Sequence, residues 1–472
     1  MARIGILTLG DGRPDVMTHL TAHAEGELGR LVTWLAGQGH ELRSGRSVIT
    51  SNTLATTEAR HIAAFNPDVV ILQYPIWAFP HFSVLAAAAL PVPLILLGAL
   101  DGRQPGMVGM LAAGGALDQI GRVHLRAWGD VADPSLAARL GEEIAAAVAV
   151  SRVRGSTFGR VGGRPMGMYT AVASAEVWMR DFGIDVEEID QGELVRCAQE
   201  VDPARVTQAR RWLEAHAAQV AYDGRALTPE LLERQIRSYY AMRGLIDEWH
   251  LDFSGIKAQP ELTTHYATMD IAEAFLNDPY DWDGPKSTHV CATESDMDGA
   301  LTMQVLKLIT GLPVLFADVR HYHAELGVWD LCNSGQHATW YAERSSDPLV
   351  NLASTHLLPE VFFFPAGGAA VHHVAAPGDC TFARLSRLGG RYRLQVVTGA
   401  IERYDDATNQ RLMQATTYAW PHAFARLDVD AAGFLERFGA NHIHAVPGDR
   451  RPSLRAYAHL LGIDYVDLAS PR

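Results

Sequence analysis

The sequence predicts an α/β protein with two Rossmann-like α/β layer domains, residues 1–153 and 154–322, followed by a mainly antiparallel β C-terminal domain, residues 323–472. Three observations predict this. Near the N-terminus, short apolar runs rich in branched residues ("RIGILTL", "DVVILQY", "VPLILLG") alternate with helical stretches such as 17–37 and 54–65. That alternation is the mark of a parallel sheet covered by helices on both faces. The pattern restarts after "VSRVRGSTFGR", and from about residue 360 it gives way to strand-like runs separated by Gly-rich turns, as in an antiparallel sheet or barrel.

In the second domain "RPMGMYTA", "SGIKAQ", "STHVCATE" and "LPVLFADVR" read as strands, with helices over 203–221, 229–249, 268–277 and 296–310. In the third, "VFFFPAG", "CTFARLSRL" and "YRLQVVTGAI" read as strands, and a helix over 452–461 closes the chain. There is no internal repeat and no low-complexity segment.

Composition narrows the function classes. A chain of 472 residues is too long for one ordinary core. With 48% hydrophobic and 20% charged residues it is globular in character. A net charge of -14 disfavours general nucleic-acid binding, which needs clustered Lys and Arg. Cys197, Cys291, Cys332 and Cys380 are far apart and form no CxxC pair, so neither a zinc knuckle nor a disulfide framework is indicated. The N-terminus has no leader-like apolar segment, and no apolar run reaches the roughly 20 residues of a membrane span. A cytoplasmic protein working on small molecules is expected. "LGDGRPD" after the first strand lacks the GxGxxG fingerprint of a dinucleotide site.

The most informative region is "STHVCATESDMDGALTMQVLKLITGLPVLFADVRHYH". If 287–293 and 313–317 are parallel strands joined by the helix between them, Glu294 and Asp318 stand at the same carboxyl edge. Neighbouring strands lie about 4.8 Å apart, so the two acids could share one cation where open α/β sheets bind ligands. The plainer reading makes Glu294 a polar residue at a helix start, with Ser295 as N-cap and Asp298 completing the turn, and pairs Asp318 with Arg320 or His321. Near the C-terminus, "FGANHIHAVPGD" puts His442 and His444 on one face of a strand, after Asn441. A lone buried histidine is usually structural; two on one face, beside two acids, favour a site. One imidazole with two carboxylates is a hard donor set that suits Mn²⁺ or another divalent cation better than structural zinc. His372 and His373 are adjacent and would point to opposite faces, so at most one could serve a site. Asn333, Ser334 and His337 in "LCNSGQH" follow the Asp318 strand and either line the same cleft or form a plain loop.

"ESDMDGALTMQVLKLITGLPVLFADVRH", "TTYAWPHAFARL" and "GANHIHAV" resemble, in this order, segments of the L-fucose isomerase family, a relative of the L-arabinose isomerases. The resemblance implies that Glu294, Asp318 and His442 are the metal set. "GDGRPD" resembles the family's first-domain substrate loop and puts Arg13 forward, while "YPIWAFP" and "IKAQPEL" offer Trp77 and Gln259. Sugar recognition also wants aromatic faces and planar donors, which adds Trp420 and His422, with Ser334, Asn441 and His444 as further contacts. An aspartate as second acid matches the fucose branch rather than the arabinose one. The resemblance implies a homo-oligomer, a hexamer, with Arg13 and Trp77 acting in a neighbouring subunit.

The expected chemistry is aldose–ketose isomerisation of a free sugar such as L-fucose or D-arabinose through a cis-enediol, with Glu294 and Asp318 as the proton-transferring pair. Two other enzyme readings are arabinose-isomerase-like activity on another aldose and a metal-dependent aldolase. The aldolase would need a phosphate nest, which the sequence lacks. A reading of a different class is a non-catalytic sugar-binding protein.

Overall fold

The computed structural model describes residues 1–334 and 337–470. The chain forms two compact units, Met1–Arg154 with Pro452–Gly462, and Gly155–Arg451 with the segment from Ile463 onward.

In the first unit, β1 (Arg3–Thr8), β2 (Glu41–Ser44), β3 (Val69–Tyr74), β4 (Leu94–Gly98) and β5 (Leu125–Trp128) form one parallel sheet in the order β2-β1-β3-β4-β5. Both faces are apolar: Leu7, Val70 and Leu72 pack on one side, and Ile6, Val69 and Ile71 on the other. This is why the central strand β3 opens with the apolar run Val69–Leu72 and is buried at every position. The helices Pro14–Gly37, Pro80–Ala87 and Pro134–Val153 each begin with proline, which loses nothing there because the first helical N–H has no partner anyway. The helix Arg451–Leu461 lays Ala456 and Leu460 against this core, and Ser453 Oγ donates to the Glu142 carbonyl at 3.1 Å. It does not close the chain, because a further strand follows it.

The second unit contains a parallel sheet, a small accessory sheet and a barrel. β6 (Thr157–Val161) and β7 (Asp185–Ile189) are followed by the short β8 (Gln219–Val220), then β9 (Phe253–Ile256), the hairpin β10 (Tyr280–Asp281) and β11 (Gly284–Pro285), and β12 (Cys291–Thr293). The parallel sheet has the order β12-β9-β6-β7. Next come β13 (Leu315–His323) and β14 (Val328–Cys332), then β15 (His356–Pro359) and β16 (Ala369–His372), which join β8 in a three-stranded sheet. The remaining strands are β17 (Gly378–Leu388), β18 (Arg391–Glu402), β19 (His422–Leu427), β20 (His442–Pro447) and β21 (Asp464–Asp467). The order β17-β20-β13-β14-β19-β18 closes on itself through the long β17–β18 hairpin, making an antiparallel barrel to which β21 adds in parallel. Leu315, Ala317, Leu331, Phe382, Ala423 and Ile443 share its apolar core.

Several local expectations change. The strand expected over 313–317 is not beside 287–293; it is β13, paired antiparallel with β14 and β20 in the barrel. The helix Met297–Thr310 therefore carries the chain from one sheet into another. Residues 164–171 form turns rather than a strand, and "VFFFPAG" is a loop after β15. Asp296, not Ser295, caps the helix Met297–Thr310, its Oδ1 accepting from the Gly299 N–H at 3.0 Å. Among the described residues no helix is long and apolar enough to cross a membrane.

Candidate active site

Register builds the site from the barrel side. β20 lies against β13 so that His442 stands opposite Asp318 and His444 opposite Phe316. Alternation turns these residues away from the face that carries Ala317 and Ile443 into the barrel core. The Phe316 ring packs against both imidazoles, at centroid distances of 4.6 and 4.9 Å.

Glu294 arrives from the other sheet, at the carboxyl end of β12. Glu294 and Ser295 both adopt left-handed backbone, with φ of 54° and 49°. Two successive non-glycine residues in that region carry strain of the kind that clusters at functional sites. The turn is held by the Ser295 N–H donating to the Ile256 carbonyl at 2.9 Å. Its close approach depends on Gly255, where a Cβ would meet Ser295 Cα at 2.9 Å. Gly255→Ala is expected to destabilise the fold by about 1–3 kcal/mol through this overlap and to displace Glu294, read by denaturant unfolding together with activity.

These elements bring His442 Nε2 to 3.1 Å from Glu294 Oε2 and 3.4 Å from Asp318 Oδ1. On the other side of the ring, Nδ1 lies 2.6 Å from Asp296 Oδ2. A carboxylate only accepts, so Nδ1 carries a proton and Nε2 is the atom turned toward the two acids. Arg384 grips Asp296 from behind, with Nη1 at 2.5 Å from Oδ2 and Nη2 at 3.0 Å from Oδ1. Burial would raise the Asp296 pKa, but Arg384 and His442 outweigh it and hold the carboxyl well below the usual range. Burial likewise opposes charge on His442, yet Asp296, Glu294 and Asp318 together lift it to about 10. Burial, aided by the Glu294 charge, raises Asp318 against the pull of His442. Asp318 Oδ2 also accepts from Asn333 Nδ2 at 2.9 Å, and Oδ1 from Asn441 Nδ2 at 3.4 Å.

His442 Nε2 and Glu294 Oε2 are both buried without a hydrogen bond. Such atoms cost about 1–3 kcal/mol each unless something pairs with them. A divalent cation among Nε2, Glu294 and Asp318 satisfies both, and the oxygen-rich set suits a hard ion. The residues present fit a resident metal.

The other expected contacts are placed variously. His444 is fully buried, with Nε2 3.2 Å from Arg384 Nη1, and burial pushes its pKa well down. Asn441, just before β20, turns its amide toward Asp318 Oδ1. Gln259 leaves the carboxyl end of β9, the strand paired with β12, and Ser334 is buried after β14. Trp420 is buried, donating from Nε1 to Glu360 Oε2 at 3.1 Å, with the Arg320 guanidinium 5.4 Å from its ring. His372 donates from Nδ1 to the Trp420 carbonyl at 2.9 Å. In the first unit, exposed Arg13 follows β1 and pairs through Nε with Asp11 Oδ1 at 2.9 Å, and Trp77 follows β3, half-buried.

Asp296 and Arg384 escaped the sequence reading. An Asp in "ESDMDG" looks like a cap, which it also is. The signal for Arg384 was an arginine inside the apolar strand "CTFARLSRL", a position that demands a buried partner. A second buried donor group, Asp330, Cys332 and His422, has its ligand atoms within 4.8 Å of one another and could also hold a metal ion.

An α/β chain with a barrel-borne histidine and acids converging from two sheets has the makings of a metal-assisted enzyme acting on a small polar molecule. Comparison with known proteins specifies the class. Residues 1–155 match the first N-terminal domain of L-fucose isomerase, residues 250–311 the second N-terminal domain, and residues 331–469 the C-terminal domain. An L-fucose isomerase of Klebsiella pneumoniae subsp. pneumoniae is 25% identical over 453 residues, covering 80% of this chain and 76% of its own length. One of Salmonella paratyphi B is 26% identical over 452 residues, with the same shares covered. The chain belongs to the L-fucose isomerase family and is thereby a sugar isomerase.

Proposed function

We propose that the protein is a metal-dependent aldose–ketose isomerase acting on a free sugar such as L-fucose or D-arabinose through a cis-enediol, with Glu294, Asp318 and His442 holding Mn²⁺ or another divalent cation. The observation that carries this reading is the pair of buried, unpartnered atoms, His442 Nε2 and Glu294 Oε2, facing each other and Asp318. When bound, the cation polarises the sugar carbonyl and favours the negative charge that develops on the enediolate. Glu294 and Asp318 form the pair that removes the proton from one carbon and exchanges the hydroxyl proton, returning it to the neighbouring carbon. Asn333 and Asn441 orient Asp318, and Asp296 with Arg384 keeps His442 in the tautomer that presents Nε2. Trp420, Ser334, Gln259, Arg13, Trp77 and His444 are proposed as sugar-side contacts or their supports.

Stripping with a chelator is expected to abolish isomerisation of an aldose panel containing L-fucose, D-arabinose and L-arabinose, and Mn²⁺ to restore it. Full activity in metal-free protein would end the proposal. Cation binding also displaces the proton that His442 keeps up to about pH 10, so Mn²⁺ affinity rises with pH between 6 and 9. The same shift sets the sign for stability of the stripped protein. His442 is raised from 6.5 to about 10, so its contribution is complete below pH 6.5 and is lost as pH climbs through 10. Thermal scans of chelated protein should fall across that window.

We further propose a cytoplasmic homo-oligomer, a hexamer, with Arg13 and Trp77 supplied in trans. Mixing inactive Arg13→Ala and Glu294→Gln proteins should then restore part of the activity; a fully active monomer in dilute solution refutes it.

A further inference from the structure

Beside the Glu294, Asp318 and His442 group, the barrel carries a second cluster that the isomerase reading does not use. Asp318 on β13 is opposite Cys332 on β14, and Cys332 is opposite His422 on β19, so these residues lie on one cross-strand row. Asp330, two residues before Cys332, shares its face. Asp330, Cys332 and His422 are all buried, and one ligand atom of each lies within 4.8 Å of the others.

The hydrogen bonding of His422 leaves a gap in the proton count. Its Nε2 lies 3.2 Å from the Thr417 carbonyl, which can only accept, so Nε2 carries a proton. The neutral ring then has a bare lone pair at Nδ1, and that atom lies 2.8 Å from Asp330 Oδ1, another acceptor. The contact calls for a proton, on the ring or on the carboxyl, or for a metal ion. Asp330 Oδ2 is already engaged by the Thr416 hydroxyl at 2.7 Å. His337 is fully buried and neither ring nitrogen has a hydrogen-bond partner. Burial pushes its pKa down to about 3, and the charged groups acting on it are His422 and Asp330. His337 is not one of the three residues whose ligand atoms lie within 4.8 Å of one another, so it stays outside the cluster.

We propose that Asp330, Cys332 and His422 form a three-donor transition-metal site that takes Zn²⁺. Bonds of about 2.0–2.3 Å in a tetrahedron separate donors by roughly 3.3–3.8 Å, which fits within the cluster once the His422–Asp330 contact opens slightly. Ligation converts the Cys332 thiol to thiolate, releasing its proton to solvent, and the ion replaces the proton between His422 and Asp330. With donors from both strands, the ion would tie β14 to β19 next to the strand that presents Asp318. It is separate from the hard-ion site, because a set that includes a thiolate selects a softer metal than one imidazole with two carboxylates does.

Co²⁺ is the probe, since a cobalt–thiolate bond absorbs in the near ultraviolet and a hard oxygen site does not. Chelated full-length protein titrated with Co²⁺ alone should show the thiolate band. The band should persist in a Glu294→Gln/Asp318→Asn double variant and be lost in Cys332→Ser. Zn²⁺ should compete it away with one equivalent per chain. No band from folded wild-type protein, or a band that survives Cys332→Ser, overturns the proposal, the former meaning that a proton occupies the His422–Asp330 contact. Should Cys332→Ser fail to fold, alkylation of the wild-type protein decides: Cys332 should react more slowly with Zn²⁺ bound than after stripping, and equal rates refute the site.

Discussion

Glu294→Gln and Asp318→Asn are each expected to lower turnover on the preferred aldose by about 10²-fold or more, even when the protein is loaded with Mn²⁺. Each change keeps the size of the side chain and removes the charge and the proton-accepting oxygen. Glu294 has no alternative work in this structure, because its Oε2 is buried without a hydrogen bond and faces His442. Asp318 is held on two sides by Asn333 and Asn441, so an amide at 318 would also set like dipoles against each other. Metal analysis separates the two losses. A variant that keeps its metal and still loses turnover has lost proton transfer, whereas near-normal turnover in a loaded variant removes that residue from the chemistry.

His442→Ala should come out of purification without its hard-site metal, whereas His444→Ala should retain it. The two histidines share a face, but only His442 turns a nitrogen to the acids; His444 Nε2 points at Arg384. Asp296→Asn tests the same assembly one step back. An amide oxygen can still accept from His442 Nδ1 but carries no charge to hold the ring, and the amide leaves the buried Arg384 without its anion. Metal affinity is expected to fall about 10–100-fold, the usual cost of losing the carboxylate behind a ligating histidine. Equilibrium dialysis of Mn²⁺ with the folded variants measures it. A loaded His442→Ala beside an empty His444→Ala would reverse the assignment, and unchanged affinity in Asp296→Asn would reduce Asp296 to a helix cap.

Much of this was legible in the residues themselves. The apolar run opening β3, the prolines opening three helices of the first unit, and the alternation of "GANHIHAV" dictate local structure through burial and backbone geometry, which are short-range effects. The acids and the histidine could be singled out because their donor chemistry is unusual for such apolar surroundings. What only the tertiary structure decided was which elements meet. A strand–helix–strand segment has the same local pattern whether its second strand returns to the first sheet or enters another. That is why β13 read as a neighbour of β12, although its hydrogen bonds go to β14 and β20. In the same way, nothing near Asp296 in the chain announces an imidazole 146 residues away, nor a guanidinium from β17. Those pairings arise from barrel closure and from the burial of charges that must find partners, both properties of the assembled fold rather than of any segment.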